Sequence, residues 1–68
     1  MDIKVRPRLG EILRERRITQ LELEKMSGVP QGSISRFDRN SQHRDEHLFA
    51  ISRALDIKIE DLFIVDEQ

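Results

Sequence analysis

Cysteine is absent from this 68-residue chain. A disulfide framework, a thiolate zinc finger and a cysteine nucleophile are therefore excluded. Aromatic residues are scarce: the chain has no Trp and no Tyr, and its three aromatics are all Phe. No apolar run is long enough to span a membrane. No Gly-rich phosphate loop follows a strand, and no Ser stands with a base partner that would mark a nucleophile. The opening Met1-Asp2-Ile3-Lys4 lacks the apolar stretch of a signal peptide, so a cytoplasmic protein is expected. Net charge is also small: 12 Lys and Arg against 13 Asp and Glu leave −1.

What remains is a short chain that is 37% apolar and 37% charged. Its length allows one domain, covering residues 1–68, and no second core. A domain of this size buries only about 60% of the surface its unfolded chain exposes. The few apolar residues recur with helical periodicity, which favours a compact all-α fold over disorder. The charge is also unevenly placed. Met1 to Arg44 carries ten basic against six acidic residues, and Asp45 to Gln68 two against seven. Such a division fits one face that attracts phosphate and another that repels it. It fits equally well the uneven charge that many helical proteins carry.

Five short helices are predicted. Pro7 can open the first, with Leu9, Ile12 and Leu13 on one face and an end near Arg16. Thr19-Gln20-Leu21-Glu22 reads as a capping box that starts the second, which buries Leu23 and Met26. Gly28 can take the left-handed conformation that ends it. The third runs from about Pro30 to Arg39, burying Ile34 and Phe37, with Asn40 as a left-handed cap. After a polar loop, Ser41 to Arg44, the fourth runs from Asp45 to Leu55 with Leu48, Ile51, Ser52 and Leu55 on its inner face. Ile57, Ile59, Leu62 and Phe63 point to a last short helix. Ile3–Arg6 and Phe63–Val65 are both short and apolar, and a small two-stranded pairing of the chain ends is expected.

The stretch Thr19 to Asn40 is the informative one. Two short helices around Ser27-Gly28-Val29 make a helix-turn-helix, whose second member can enter a DNA major groove. That member exposes Gln31, Gly32, Ser33, Ser35 and Arg36, without the Glu/Lys pairs that solvate an ordinary surface helix.

Three runs carry a resemblance: Ile18-Thr19-Gln20-Leu21-Glu22-Leu23, Ser27-Gly28-Val29-Pro30-Gln31 and Ser33-Ile34-Ser35-Arg36-Phe37. With Ala54-Leu55-Asp56-Ile57 and Ile59-Glu60-Asp61-Leu62-Phe63, they resemble the lambda-repressor-like, Cro-type (XRE) transcriptional regulators from about Leu9 to Phe63. The resemblance implies a bundle of five short helices that binds double-stranded operator DNA, usually as a homodimer, without catalysis. By matched position it places Thr19 and Gln20 at the start of the second helix, with Gln20 bonding a phosphate or bracing Gln31. Gln31 pairs with adenine. Gly32, Ser33, Ser35 and Arg36 face the groove, and Arg39, Asn40 and Arg44 flank the DNA backbone. Lys4, Arg6 and Arg8 fit either an arm toward DNA or a solvated edge strand.

Four positions depart from the family pattern. Glu24 stands where Ala usually packs, and its carboxylate must bend outward or open the helix pair. Arg17 replaces a Gly in the first turn, at a cost of about 1 kcal/mol if left-handed. Leu13 replaces an Arg that pairs with the acid ending the third helix, so Asp38 needs Arg14 or Arg17. Pro30 replaces a Ser/Thr cap, leaving the first amides of that helix free for a phosphate oxygen.

His43-Arg44-Asp45-Glu46-His47 matches a zinc-peptidase pattern but straddles a loop and a helix start, and the chain has no further His as a third ligand. No metal, cofactor, small-molecule substrate or membrane partner is expected. The reading is a sequence-specific DNA-binding regulator, most simply a repressor. The alternative is the same fold used as a protein-binding module, such as an anti-repressor or antitoxin-like partner. Candidate dimer surfaces are Phe63 to Val65, Phe49 and Leu21.

Overall fold

The computed structural model describes residues 2–67. Strand β1 (Ile3–Pro7) is followed by helices α1 (Leu9–Arg16), α2 (Gln20–Ser27), α3 (Gln31–Arg36) and α4 (Asp45–Leu55), and then by strand β2 (Phe63–Glu67). Single 3-10 turns cover Phe37–Arg39 and Ile59–Leu62. The expected count of five helices is therefore corrected to four. Only four residues separate Lys58 from β2, too few for an α-helix, and they close instead as one tight turn.

Local chemistry explains most boundaries. Thr19 Oγ1 accepts the Glu22 N–H at 3.0 Å and Glu22 Oε1 accepts the Thr19 N–H at 2.9 Å, which completes the capping box. Gly28, at φ 79°, ends α2 in the left-handed region and turns Val29 into the core. Val29 fills the place expected for Met26, which stays exposed on the outer face of α2. Arg17 does adopt the left-handed conformation, at φ 57°, where Gly would be unstrained. Pro7 is not a helix start. It is the last residue of β1, where its missing N–H is harmless at a sheet edge.

The third helix also ends differently from expectation. Its last turn tightens to 3-10, and Asn40 is extended at φ −88°, ψ 141° rather than left-handed. The Asn40 N–H reaches the Arg36 carbonyl at 3.1 Å, and His43 Nε2 donates to the Phe37 carbonyl at 2.7 Å. With those carbonyls satisfied, no left-handed cap is needed.

The core joins the four helices and the two 3-10 turns. Leu9, Ile12 and Leu13 from α1, Leu23 from α2, Ile34 from α3, and Ile51 and Leu55 from α4 are buried around Val29, Phe37 and Leu62. The chain ends form the expected antiparallel ribbon, with Val5 opposite Val65 and Pro7 opposite Phe63. The Arg8 N–H, donating to the Leu62 carbonyl at 2.9 Å, continues it to the start of α1.

No side chain of Arg8 caps α1. Asp38, twenty-eight residues or more away, does so: Oδ1 accepts the Leu9 N–H at 2.8 Å and Oδ2 the Gly10 N–H at 2.9 Å. This corrects the expectation that Asp38 pairs with Arg14 or Arg17. The carboxylate is held by two amides at the positive end of a helix dipole. Asp38→Ala is expected to lower folding stability by about 1–2 kcal/mol, read as a lower urea midpoint with an unchanged slope.

Candidate nucleic-acid interface

Helix α3 is only six residues long, so its position depends on what holds it. Ile34 and the following Phe37 are buried and fix which side faces out. The remaining residues, Gln31, Gly32, Ser35 and Arg36, are exposed, and Ser33 is half-buried at the edge of the stripe. Gly32 lets the Arg36 guanidinium fold back over the backbone, within 3.4 Å of where a Cβ would stand.

The start of α3 is held by a residue with an unexpected role. Glu24 is half-buried and bends across the turn toward α3 rather than out to solvent. Its Oε1 accepts the Gln31 N–H at 2.7 Å, while its main-chain carbonyl accepts the Gly28 N–H at 2.7 Å. Glu24 thus stitches both sides of the turn and supplies the cap that Pro30 lacks. The Gln31 amide is consequently not free for a phosphate oxygen, and the expectation of free first amides is corrected at that position. The proposed brace between Gln20 and Gln31 is also not formed: no hydrogen bond joins their side chains among the described residues. Gln20 is half-buried at the first position of α2.

Beyond α3 the chain forms a hollow of about 120 Å³ lined by Ser33, Phe37, Asn40, Gln42, His43, Arg44 and His47. Ser33, Asn40 and Arg44 were expected at a DNA surface and are brought together here. Gln42, His43 and His47 were not foreseen. His43 is the organiser, with its ring 4.1 Å from Phe37 and 5.8 Å from Phe63, centroid to centroid. The signal present in the sequence is a His within the polar loop, six residues after a core Phe. His43 precedes α4 and His47 lies within it, so the two do not share the helical turn that the zinc pattern needs.

Of the flanking cations, Arg39 is exposed. Arg44 is exposed too, and its Nη2 meets Glu46 Oε2 at 2.8 Å. An exposed pair of this kind is worth about 0–1 kcal/mol and is easily exchanged for another anion. Glu46 is held below the ordinary Glu range first by its own backbone N–H and then by Arg44.

Thr19 is exposed but spends its acceptor on the capping box. In turn, Glu22 is held below its ordinary value of 4.5, first by the Thr19 backbone N–H and then by the Thr19 side chain. A lowered folded-state value means that the cap contributes fully above the ordinary Glu range and is lost as pH falls through the lowered value. By carboxyl NMR, Glu22 is expected to titrate below the ordinary Glu value of 4.5. Thr19→Ala is expected to restore only part of the difference, because the backbone N–H remains.

A family model described as the Cro/C1-type HTH DNA-binding domain matches residues 8–68. Neither curated proteins nor solved structures give a match. No helix among the described residues is long and apolar enough to cross a membrane.

Proposed function

This chain belongs to the Cro/C1-type helix-turn-helix DNA-binding domain family, and we propose that it reads operator DNA as a homodimeric repressor. One observation carries the reading: α3 buries Ile34 and Phe37 while turning Gln31, Gly32, Ser35 and Arg36 to solvent. Short residues on that stripe allow close approach of the backbone to a groove, and the long ones reach base edges. Gln31 pairs with an adenine, Arg36 with a guanine or a phosphate, and Ser33 and Ser35 contribute smaller contacts. Thr19, Gln20, Arg39, Asn40 and Arg44 bond the phosphate backbone and fix the register. Arg39 and Arg44 also release counterions, which makes binding salt-dependent.

One such domain covers too little DNA for strong discrimination, and a symmetric pair reading half-sites about 34–36 Å apart meets that need. The terminal ribbon supports a place for the second copy. Ile3, Val5 and Val65 are exposed at 56%, 55% and 46%, and the β1 edge is guarded by Lys4, Arg6 and Pro7. The β2 edge carries no such guard at Val65. An antiparallel match centred there sets Val65 against its own copy and Ile64 against Asp66, with no like-charge pair.

Selection of bound sites from random duplex DNA tests binding, base preference and half-site symmetry together. Gln31→Ala is expected to cost about 1–3 kcal/mol at one base pair and to relax preference there. Arg39→Ala is expected to weaken all duplexes alike and to lower the salt slope by about one. Absence of binding at low salt turns the reading to a protein-docking module. For the dimer, Val65→Lys is expected to give monomer in sedimentation at concentrations where the parent is dimeric. A dimer that survives moves the contact to Leu21 or Phe49.

A further inference from the structure

Glu24 is a half-buried carboxylate at the corner where α2 passes to α3. Its Oε1 takes the Gln31 N–H at 2.7 Å, the amide beside the side chain that leads the exposed stripe. The ion pairs among the described residues are Arg8–Glu11 and Arg44–Glu46, so no cation neutralises Glu24. A Ser, Thr or Asn cap satisfies the same kind of amide without net charge. This chain instead places a negative charge at the leading corner of a surface whose own cations are few, Arg36, Arg39 and Arg44.

We propose that Glu24 is a positioning and selectivity residue. It fixes the start of α3 by holding the Gln31 amide, and its charge keeps DNA phosphate away from that corner. This inference rests on the DNA-binding reading above. The two effects act in one direction. Backbone contact at the corner is penalised most on mixed duplexes, where phosphate contacts supply essentially all of the affinity. Base-edge contacts by Gln31 are gained only on the right sequence, with the helix start already ordered for them. Glu24 therefore costs more on random DNA than on the preferred site and widens the gap between the two.

The test compares the parent protein with Glu24→Gln and Glu24→Ala on two duplexes, a selected site and a mixed-sequence competitor, across a salt series. Thermal unfolding is recorded alongside. Gln retains a carbonyl oxygen that can accept the Gln31 N–H, but it removes the charge. For Glu24→Gln, affinity for mixed duplex is expected to rise about three- to tenfold, the scale of one charge facing phosphate across partly screened solvent. The salt slope on that duplex should steepen by up to about one. Selected-site affinity should change less, so the ratio of the two falls while the unfolding temperature stays close to the parent's. For Glu24→Ala, the ratio should fall further and the unfolding temperature should drop, because the cap is lost as well.

A purely structural cap predicts otherwise. Glu24→Gln would then leave the ratio and the salt slope unchanged, and Glu24→Ala would weaken both duplexes in step with stability. Either result overturns the selectivity role while leaving DNA binding intact. If the parent and both variants fail to bind any duplex at low salt, the DNA-binding reading fails, and this inference fails with it.

Discussion

A six-residue helix cannot stand alone in water, and everything proposed for this protein depends on one. The nucleation cost of so short a segment is never recovered by its own hydrogen bonds. Its geometry must come from outside. Two buried side chains, Ile34 and Phe37, press it onto the core. A carboxylate from α2 holds its first amide, and an imidazole from the following loop holds the Phe37 carbonyl where its last turn tightens. Asp38, just beyond it, bonds the first amides of α1. The exposed stripe of α3 is thus presented by contacts from three other parts of the chain.

Much of this was legible in the residues, wherever the governing physics is local. Thr19 and Glu22 lie three apart, so a capping box can be seen in the string. Gly28 sits at the one place that needs a positive φ for the turn. The helix from Asp45 to Leu55 repeats its apolar residues at the right period and was placed with its observed bounds. The ribbon pairing of the chain ends followed from two short apolar segments with no other partner.

Where the structure departs from the sequence pattern, the cause is non-local. Asp38 was matched with arginines because charge is what a sequence displays. Its true partners are backbone amides of α1, which every sequence has and none displays. Glu24 was judged by size against a small-residue pattern. Its acceptor oxygen happens to reach an amide seven positions on, a contact fixed only once the two helices cross. Met26 stays in solvent and Val29 is buried, because the left-handed Gly28 turns the chain inward just past the end of α2. The fifth helix failed for lack of length, since a left-handed Asp56 and an incoming strand leave room for a single turn. Ile34 and Phe37 are buried as their spacing predicts, and they leave Gln31, Gly32, Ser35 and Arg36 in solvent with Ser33 at the margin.

The ribbon joins Ile3 to Glu67 in register, and Arg8 to Leu62 just inside it. Closing those contacts ties a loop that encloses nearly the entire chain. The helices meet across shorter stretches of chain, α2 packing on α3 and α4, and need no such closure. Loop entropy therefore makes the ribbon the last part to zip during folding. Its outer rungs, with Ile3, Val5 and Val65 in solvent, bury little to hold them shut, and they are the first part to fray.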